Sequence, residues 1–209
     1  MFTLHFSPGA CSRASHIALA ESGLPYTLKR VKFAEAEQRS ESFLKVNPKG
    51  RVPALETEKG VLTETVAILA YIAQMASKTE ARLAPSDPFE FARMQAFNAY
   101  IASTVHVAHA HGRRAARWAD DASSHADMLA KVPANMRACF RLIEDEFLIL
   151  PYVMGEDYTV ADAYLFVMSG WLKSDGVDID EFPRVAEHYA RVAARPAVRR
   201  ALEEEEAAL

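Results

Sequence analysis

Hydrophobic and polar positions alternate with a period of two in four short segments, all within the first third of the chain. The alternation at residues 2–6 and 26–31 predicts two strands. Apolar positions at residues 52–56 and 61–63 predict two more strands, joined by a turn at residues 58–60. The short separation of the last two favours an antiparallel hairpin.

Between and after these strands the pattern follows the helical period. Residues 12–22 predict a helix that ends at Gly23, and residues 64–76 predict a second helix with an apolar stripe. The connector at residues 33–46 is charged and weakly patterned, which indicates a loop with a short helix. The order β-α-β-α-β-β-α predicts an α/β domain at residues 1–78, with a mixed sheet packed by helices.

No strand pattern recurs after Ala84, so the second half is predicted to be all-helical. Two prolines at residues 85–88 indicate a linker over 79–88, followed by a helical domain at 89–209. Thr159 and Asp162 have the spacing of a capping box, and the helix they open is apolar nearly all round. We expect that helix to be the buried axis of the bundle. The predicted helices are 89–118, 124–149, 160–173, 183–195 and a short last one that ends in the acidic run 203–206.

Composition narrows the class of protein without indicating an activity. The chain has 209 residues, of which 50% are hydrophobic and 25% charged, as in an ordinary globular protein. Its net charge of −4 argues against a general nucleic-acid partner. No apolar run suits a membrane span and no secretory leader pattern opens the chain, so we expect a soluble cytoplasmic protein. The two cysteines, Cys11 and Cys139, cannot form a disulfide framework.

Cys11 is the first candidate for chemistry, because it follows a strand and lies at the start of a helix. The N–H groups and dipole of a helix N-terminus favour a thiolate, either on the protein or on a bound ligand. The Ser12 hydroxyl would donate to the same anion or simply cap the helix. Position 14 is alanine, so there is no second thiol at dithiol spacing. Cys139 falls within a predicted helix, where it is interpreted as a packing residue.

The long helical segment at residues 89–118 has two different faces, provided that the helix continues past Gly112. One face is an apolar stripe that should pack into the bundle: Met94, Phe97, Ile101, Val105 and Ala108. The opposite face is polar and basic: Ala99, Ser103, His106, Ala110, Arg113, Arg114 and Arg117. It is either a groove for an acidic ligand or a solvated surface. A metal site in the histidine-rich run 106–111 is disfavoured, because His111 points away from His106.

Four motifs, in order and at matching distances, resemble the glutathione S-transferase family and specifically its bacterial beta class. They are SPGACS at 7–12 with HIAL at 16–19, NPKGRVPAL at 47–55, TET at 63–65 and TVADAY at 159–164. The resemblance covers nearly the whole chain. It implies a thioredoxin-like domain followed by a helical bundle, in agreement with the periodicity.

The resemblance also implies roles for individual residues, with glutathione as co-substrate and no metal. Cys11 would lie beside the glutathione sulfur, donating a hydrogen bond to its thiolate or forming a mixed disulfide with it, aided by Ser12 and His106. Thr65 would hold a glutathione carboxylate, Glu64 would face its ammonium group, and a cis Val52–Pro53 bond would expose backbone groups. The glutathione-binding residues implied are Arg51, Val52, Pro53, Glu64, Thr65 and Ser103.

The chain also departs from the beta-class pattern. His5, Val107 and Ala99 stand where the class often has a tyrosine, a lysine and an asparagine, and the connector lysine has no secure match at residues 33–37. Some glutathione contacts are therefore expected to be missing or rearranged, with Arg113, Arg114 or Arg117 as substitutes. These departures bear on affinity and substrate more than on fold.

The function expected from the resemblance is a glutathione-dependent transferase with a role in detoxification. It would act on small electrophiles, by conjugation or by reduction of a peroxide or disulfide, and it would form a homodimer with no nucleic-acid or membrane partner. Two alternatives stay open. One is a non-enzymatic ligand-binding protein on the same fold. The other is a glutathione-dependent isomerase or dehalogenase with a different second-domain pocket.

Overall fold

The computed structural model describes residues 1–77 and 79–209. Its N-terminal part contains a mixed four-stranded sheet of order β2-β1-β3-β4, with strands β1 Phe2–Phe6, β2 Tyr26–Arg30, β3 Ala54–Thr57 and β4 Gly60–Thr63. Strands β1 and β2 are parallel, while β3 pairs antiparallel with both β1 and β4. Strand β3 begins after Pro53, which has no N–H to contribute to the sheet. The predicted mixed sheet and its hairpin are confirmed.

Three α-helices belong to this part: α1 Ser12–Ser22, α2 Glu41–Val46 and α3 Thr65–Ala76. Helix α1 ends where Gly23 takes a left-handed conformation with φ of 68°. Residues 33–46 form two 3₁₀ turns followed by α2, as the weak pattern predicted. Helix α1 packs against α3 on one side and against the helices of the second half on the other.

The second half is helical, with α4 Pro88–Tyr100, α5 His106–Arg113, α6 Ala122–Leu142, α7 Val160–Trp171, α8 Pro183–Ala193 and α9 Pro196–Ala207. The prediction of one regular helix over 89–118 is wrong. A π-helical turn at Ile101–Val105 separates α4 from α5, and a 3₁₀ turn follows α5 at Ala115–Arg117. Gly112 lies inside α5, where a Cβ atom would be 3.3 Å from the Val132 side chain of α6, so this glycine permits close helix packing.

Helix α7 is the buried axis of the bundle, as its apolar sequence predicted. Every residue from Val160 to Ser169 is buried. The capping box is present, because the Thr159 N–H donates to Asp162 at 2.7 Å and the Thr159 hydroxyl accepts from the Ala161 N–H at 3.3 Å. Asp162 also accepts a 2.7 Å hydrogen bond from the Val153 N–H. Of the predicted apolar stripe, Met94, Phe97, Ile101 and Val105 are buried, whereas Ala108 is only half-buried. Cys139 lies buried in α6 as a packing residue.

The domain boundaries remain a prediction. Helix α3 ends at Ala76 and α4 begins at Pro88, and these two ends bracket the predicted linker at residues 79–88. Residue 78, at which the first domain was predicted to end, lies outside the described residues. Within residues 1–77 and 79–209, no helix has the length and apolar character needed to cross a membrane.

Candidate active site

A cavity of about 540 Å³ lies between the sheet-containing part and the helical part. Its first wall consists of the loop after β1, the connector after β2, the loop before β3 and the start of α3. Its second wall comes from α5, the 3₁₀ turn that follows it, and α7. Cys11, Arg51, Val52, Pro53, Glu64, Thr65 and His106, all predicted from the sequence, line this one cavity.

Cys11 occupies the N-cap position of α1, and its Sγ donates a 3.4 Å hydrogen bond to the Val52 carbonyl. Burial raises the pKa of the Cys11 thiol to about 11, and hydrogen bonding to Thr65 offsets this only in part. The helix N-terminus therefore does not make Cys11 itself an anion, as one alternative from the sequence allowed. At neutral pH the group is a thiol, which can donate a hydrogen bond to an anion bound beside it.

Ser12 points away from this cavity. It is fully buried, and its hydroxyl accepts from the Ser7 N–H at 3.1 Å and donates to the Ser7 carbonyl at 3.3 Å. Both of these bonds close the loop that carries Cys11. The structure thus gives Ser12 a loop-holding role and leaves its hydroxyl proton engaged within the protein.

The loop before β3 presents backbone atoms to the cavity. The Val52–Pro53 peptide bond is cis. The Asn47 side chain fastens the loop, because its Nδ2 donates to the Arg51 carbonyl at 2.6 Å and its Oδ1 accepts from the Lys49 N–H at 3.2 Å. Among the described residues the Val52 N–H has no hydrogen-bond acceptor. This arrangement can receive an extended peptide, as the edge of a sheet does.

The start of α3 combines a carboxylate with free helix N–H groups. Glu64 is the N-cap residue, has a left-handed φ of 73°, and accepts a 2.5 Å hydrogen bond from Lys49 Nζ. Thr65 is buried. Burial raises the pKa of the Cys11 thiol and of the Tyr164 hydroxyl, and the nearby Thr65 side chain lowers each of them in part. A helix N-terminus of this kind favours a carboxylate ligand.

His106, at the start of α5, lies edge-on to Trp171 with the ring centroids 5.2 Å apart. Burial, followed by the positive charges of His109, Arg117 and Arg51, lowers the pKa of His106 to about 4. His106 is therefore neutral at neutral pH. The His109 ring stacks on Trp171 with the ring centroids 4.2 Å apart, and its Nδ1 hydrogen-bonds Asp175 at 2.8 Å. Within residues 1–77 and 79–209 no cluster of three potential metal ligands occurs, so the structure offers no support for a metal there.

The backbone N–H and carbonyl of Gly9, two residues before Cys11, are both hydrogen-bonded by side chains of the helical part. Its N–H donates to Glu205 Oε2 at 2.9 Å, and its carbonyl accepts from Trp171 Nε1 at 3.0 Å. Gly9 has φ of 72°, which favours glycine at this position. Glu205 is only 1% exposed and also accepts from Arg13 Nε at 2.9 Å. The acidic run at residues 203–206 is thus partly buried, since Glu205 within it forms contacts inside the protein.

Three arginines near the end of the helix predicted over residues 89–118 line the cavity together with Arg51 and Arg39. They are Arg113, Arg114 and Arg117. Burial, followed by the charges of neighbouring arginines, lowers the pKa of Arg117. Ser103 is not brought into this group. It lies exposed outside the cavity lining, because the π-helical turn at Ile101–Val105 changes the angular positions of the residues around it.

Several cavity residues were missed from the sequence. Tyr164 and Trp171 were assigned to the core of α7, yet both line the cavity, and the Tyr164 hydroxyl lies near Cys11 and Thr65. Phe33, Gln38 and Arg39 line it from the connector after β2, where no match to the beta-class lysine was found. The available signal was a polar atom on each of the two aromatic residues of α7, since a buried Tyr or Trp needs a hydrogen-bond partner.

Comparison with known proteins agrees with this architecture. Residues 3–74 match the model of the glutathione S-transferase N-terminal domain, and residues 132–205 match that of the C-terminal domain. The chain is 32% identical over 205 residues to glutathione S-transferase GstA of Escherichia coli O157:H7, covering 97% of this chain and 98% of that protein.

Two solved structures show the same likeness in three dimensions. A glutathione transferase homologue from Sulfitobacter, with bound glutathione, has 47% identity and a TM-score of 0.94, covering 98% of each chain. A bacterial beta-class glutathione S-transferase from Sphingomonas chungbukensis has 34% identity and a TM-score of 0.83, covering 97% of this chain and 98% of that one. The chain belongs to the glutathione S-transferase family.

Proposed function

We propose that this chain is a glutathione-dependent transferase that stabilises the glutathione thiolate for attack on small electrophiles. The observation that carries this proposal is the position of the Cys11 thiol, which donates to the Val52 carbonyl within a cavity bounded by two helix N-termini. The family membership and the glutathione bound to the Sulfitobacter homologue support the same function.

The glutathione backbone is proposed to lie along the loop before β3. The free Val52 N–H would donate to the peptide, as strand addition requires. One glutathione carboxylate would accept from the N-terminus of α3 at Thr65, and the ammonium group would face Glu64. Arg51, exposed at the cavity edge, would pair with the other carboxylate.

In this arrangement the glutathione sulfur lies beside Cys11. A free thiol has a pKa of about 8.5, and lowering it by about 2 units requires about 2.7 kcal/mol. One hydrogen bond to a charged acceptor contributes about 1.5–3 kcal/mol and a helix N-terminus about 0.3–1 kcal/mol. The Cys11 thiol and α1 therefore suffice. Neutral His106 adds a donor without a charge.

The thiolate then attacks an electrophile held against α5 and α7. For an aryl halide, the sulfur–carbon bond forms, the carbon–halogen bond breaks, and the halide leaves with the bonding electrons. A mixed disulfide at Cys11 is disfavoured, because only a thiolate is nucleophilic and burial raises the pKa of the Cys11 thiol.

We also propose a cytoplasmic homodimer with a role in detoxification, as the resemblance implies.

Calorimetry with glutathione, followed by kinetics, tests the proposal. We expect binding, turnover of an aryl halide, and a loss of about tenfold or more in kcat at neutral pH for Cys11→Ala, with glutathione affinity kept. Cys11→Ser retains a hydroxyl donor and should keep most of the rate. Absence of glutathione binding at millimolar concentration would refute the proposal.

Further outcomes separate the alternatives. Binding without turnover of an aryl halide, a peroxide or a mixed disulfide would indicate a ligand-binding protein. Equal rates for Cys11→Ala and the wild type would show that the thiol does not stabilise the thiolate. Sedimentation tests the oligomeric state, because a homodimer has twice the 23.2 kDa mass of the chain.

A further inference from the structure

The arginine cluster, defined as Arg113, Arg114 and Arg117, carries positive charge that the protein itself does not neutralise. Its members lie at the end of α5 and in the 3₁₀ turn that follows, on the wall of the cavity opposite the loop before β3. Among the described residues none of the three has a carboxylate within ion-pair distance. Their mutual repulsion is a cost that a bound anion would remove.

The charge of the cavity exceeds what glutathione alone would balance. Five arginines line it, against one carboxylate, Glu64, which already bonds Lys49 at 2.5 Å. Glutathione carries two carboxylates and one ammonium, so its thiolate form contributes a net charge of about −2. At least two positive charges therefore remain. The arginine cluster lies on α5 and the turn after it, outside the two segments proposed to hold the glutathione backbone and its α3-bound carboxylate.

Flat aromatic groups surround the arginine cluster. Trp118 stacks on His111 with the ring centroids 4.2 Å apart and the planes at 19°. The guanidinium of Arg114 lies over the Phe33 ring at 5.7 Å from its centroid. Trp171 adds a third ring on the α7 side. Aromatic rings of this kind can pack against the planar ring of a ligand. An arginine guanidinium can form two parallel hydrogen bonds to a carboxylate on that ligand.

We propose that the second substrate is an aromatic electrophile that carries an anionic group, with the arginine cluster binding that group. This inference rests on the proposed function and names its substrate class. For an aryl halide bearing a ring carboxylate, the glutathione sulfur bonds to the ring carbon that carries the halogen. The carbon–halogen bond breaks, halide leaves with the electron pair, and the carboxylate is unchanged.

A matched pair of substrates tests this inference. Chlorodinitrobenzene and the chlorodinitrobenzoate that differs from it by one ring carboxylate are compared by kcat/KM, each divided by its uncatalysed rate with glutathione. We expect the carboxylate substrate to be favoured by about tenfold, the value of one charge-assisted contact. Arg114→Gln and Arg117→Gln should reduce that preference, because each lowers kcat/KM for the carboxylate substrate more than for the neutral one.

Arg93→Gln is the matched control, because Arg93 lies on α4, pairs with Glu90 at 2.9 Å and does not line the cavity. It should leave the preference intact. An equal rate for the two substrates in the wild type would overturn the inference, as would arginine variants that raise the KM for glutathione and keep the preference. The latter outcome would assign the arginine cluster to glutathione.

Equilibrium binding keeps this inference distinguishable from the proposed function. Dinitrobenzoate without a leaving group is titrated into the protein without glutathione, and quenching of Trp118 and Trp171 reports occupancy of the cavity. Saturable binding that weakens about tenfold in Arg117→Gln supports the arginine cluster even if no turnover is found. No difference between dinitrobenzoate and dinitrobenzene in this titration would overturn the inference, whatever the outcome for glutathione.

Discussion

Glu205 connects the last helix to the loop that carries Cys11, so its removal should be felt far from the C-terminus. The side chain is 1% exposed, accepts from the Gly9 N–H at 2.9 Å and pairs with Arg13 at 2.8 Å. It also lies 3.6 Å from His16 Nδ1. Glu205→Ala removes the carboxylate from all three groups at once and leaves a buried N–H without its acceptor.

The expected loss follows from the burial of these groups. Removing one partner of a buried ion pair costs about 3–5 kcal/mol. Arg13 is 28% exposed and can regain water, so we expect the low end, about 3 kcal/mol. For a chain of this size that lowers Tm by about 6–12 °C. Glu205→Gln keeps an acceptor for Gly9 and should lose about half as much.

Thermal unfolding monitored by circular dichroism measures this loss, with Glu206→Ala as the matched control. Glu206 is the next residue of the same acidic run and is exposed, so its removal should change stability by less than about 0.5 kcal/mol. A Tm for Glu205→Ala within about 2 °C of the wild type would refute the assigned contacts. So would an equal effect of the two alanine variants.

The pH dependence of the loss has a definite sign. Burial by itself raises the pKa of Glu205, but the neighbouring His16 imidazole, the Arg13 guanidinium and the hydrogen bond from the Gly9 N–H lower it below the ordinary 4.5. A carboxylate with a depressed folded-state pKa stabilises the protein above its unfolded pKa. The stability difference between wild type and Glu205→Ala should therefore be full at neutral pH. It should shrink as the pH falls below 4.5 toward the folded-state value.

Three further predictions concern the cavity. The ring of His106 should titrate with a midpoint of about 4 by NMR, because burial and nearby cations disfavour its protonation, and a midpoint near 6.5 would contradict this environment. Thr65→Val should weaken glutathione binding about tenfold in calorimetry through loss of a hydrogen bond to a charged group; unchanged affinity would place the carboxylate elsewhere. Trp171→Phe keeps an aromatic ring but loses the indole N–H that donates to the Gly9 carbonyl, and should cost about 1 kcal/mol of unfolding free energy. An unchanged Tm would show that this bond is not needed.

Much of the fold could be predicted because each element has its own periodicity. The alternation at residues 2–6 identified a strand with the ends that the structure has. The apolar surface of α7 identified a buried helix with the correct start, although α7 ends at Trp171 rather than at the predicted residue 173. The break of the long helix at Ile101–Val105 was not predictable from period alone, since a π-helical turn adds a residue without interrupting the apolar stripe. Ser103 was expected to line the cavity for that reason, because its angular position was calculated for a regular helix.

The candidate site was predictable where its residues act through their position in one element. Cys11 at a helix start and Glu64 with Thr65 at another belong to this class, since a helix N-terminus is visible in the sequence. Contacts between distant segments were not. The Gly9–Glu205 bond joins residues 196 positions apart, and no local pattern distinguishes that glutamate from its exposed neighbour Glu206.

The packing of α1 against both halves of the chain explains why its sequence has no single apolar face. The helix is buried on nearly every side, because it packs on α3 and also against α7 and α9. His16 within it bonds Glu204 at 2.8 Å, and the Arg200 guanidinium donates to the Ala20 carbonyl at 2.9 Å. The loop that presents Cys11 is therefore positioned from both halves of the chain at once. A helical part that only lined the cavity would not need the bonds from Glu205 and Trp171 to Gly9, so part of its structural role is to hold the Cys11 loop.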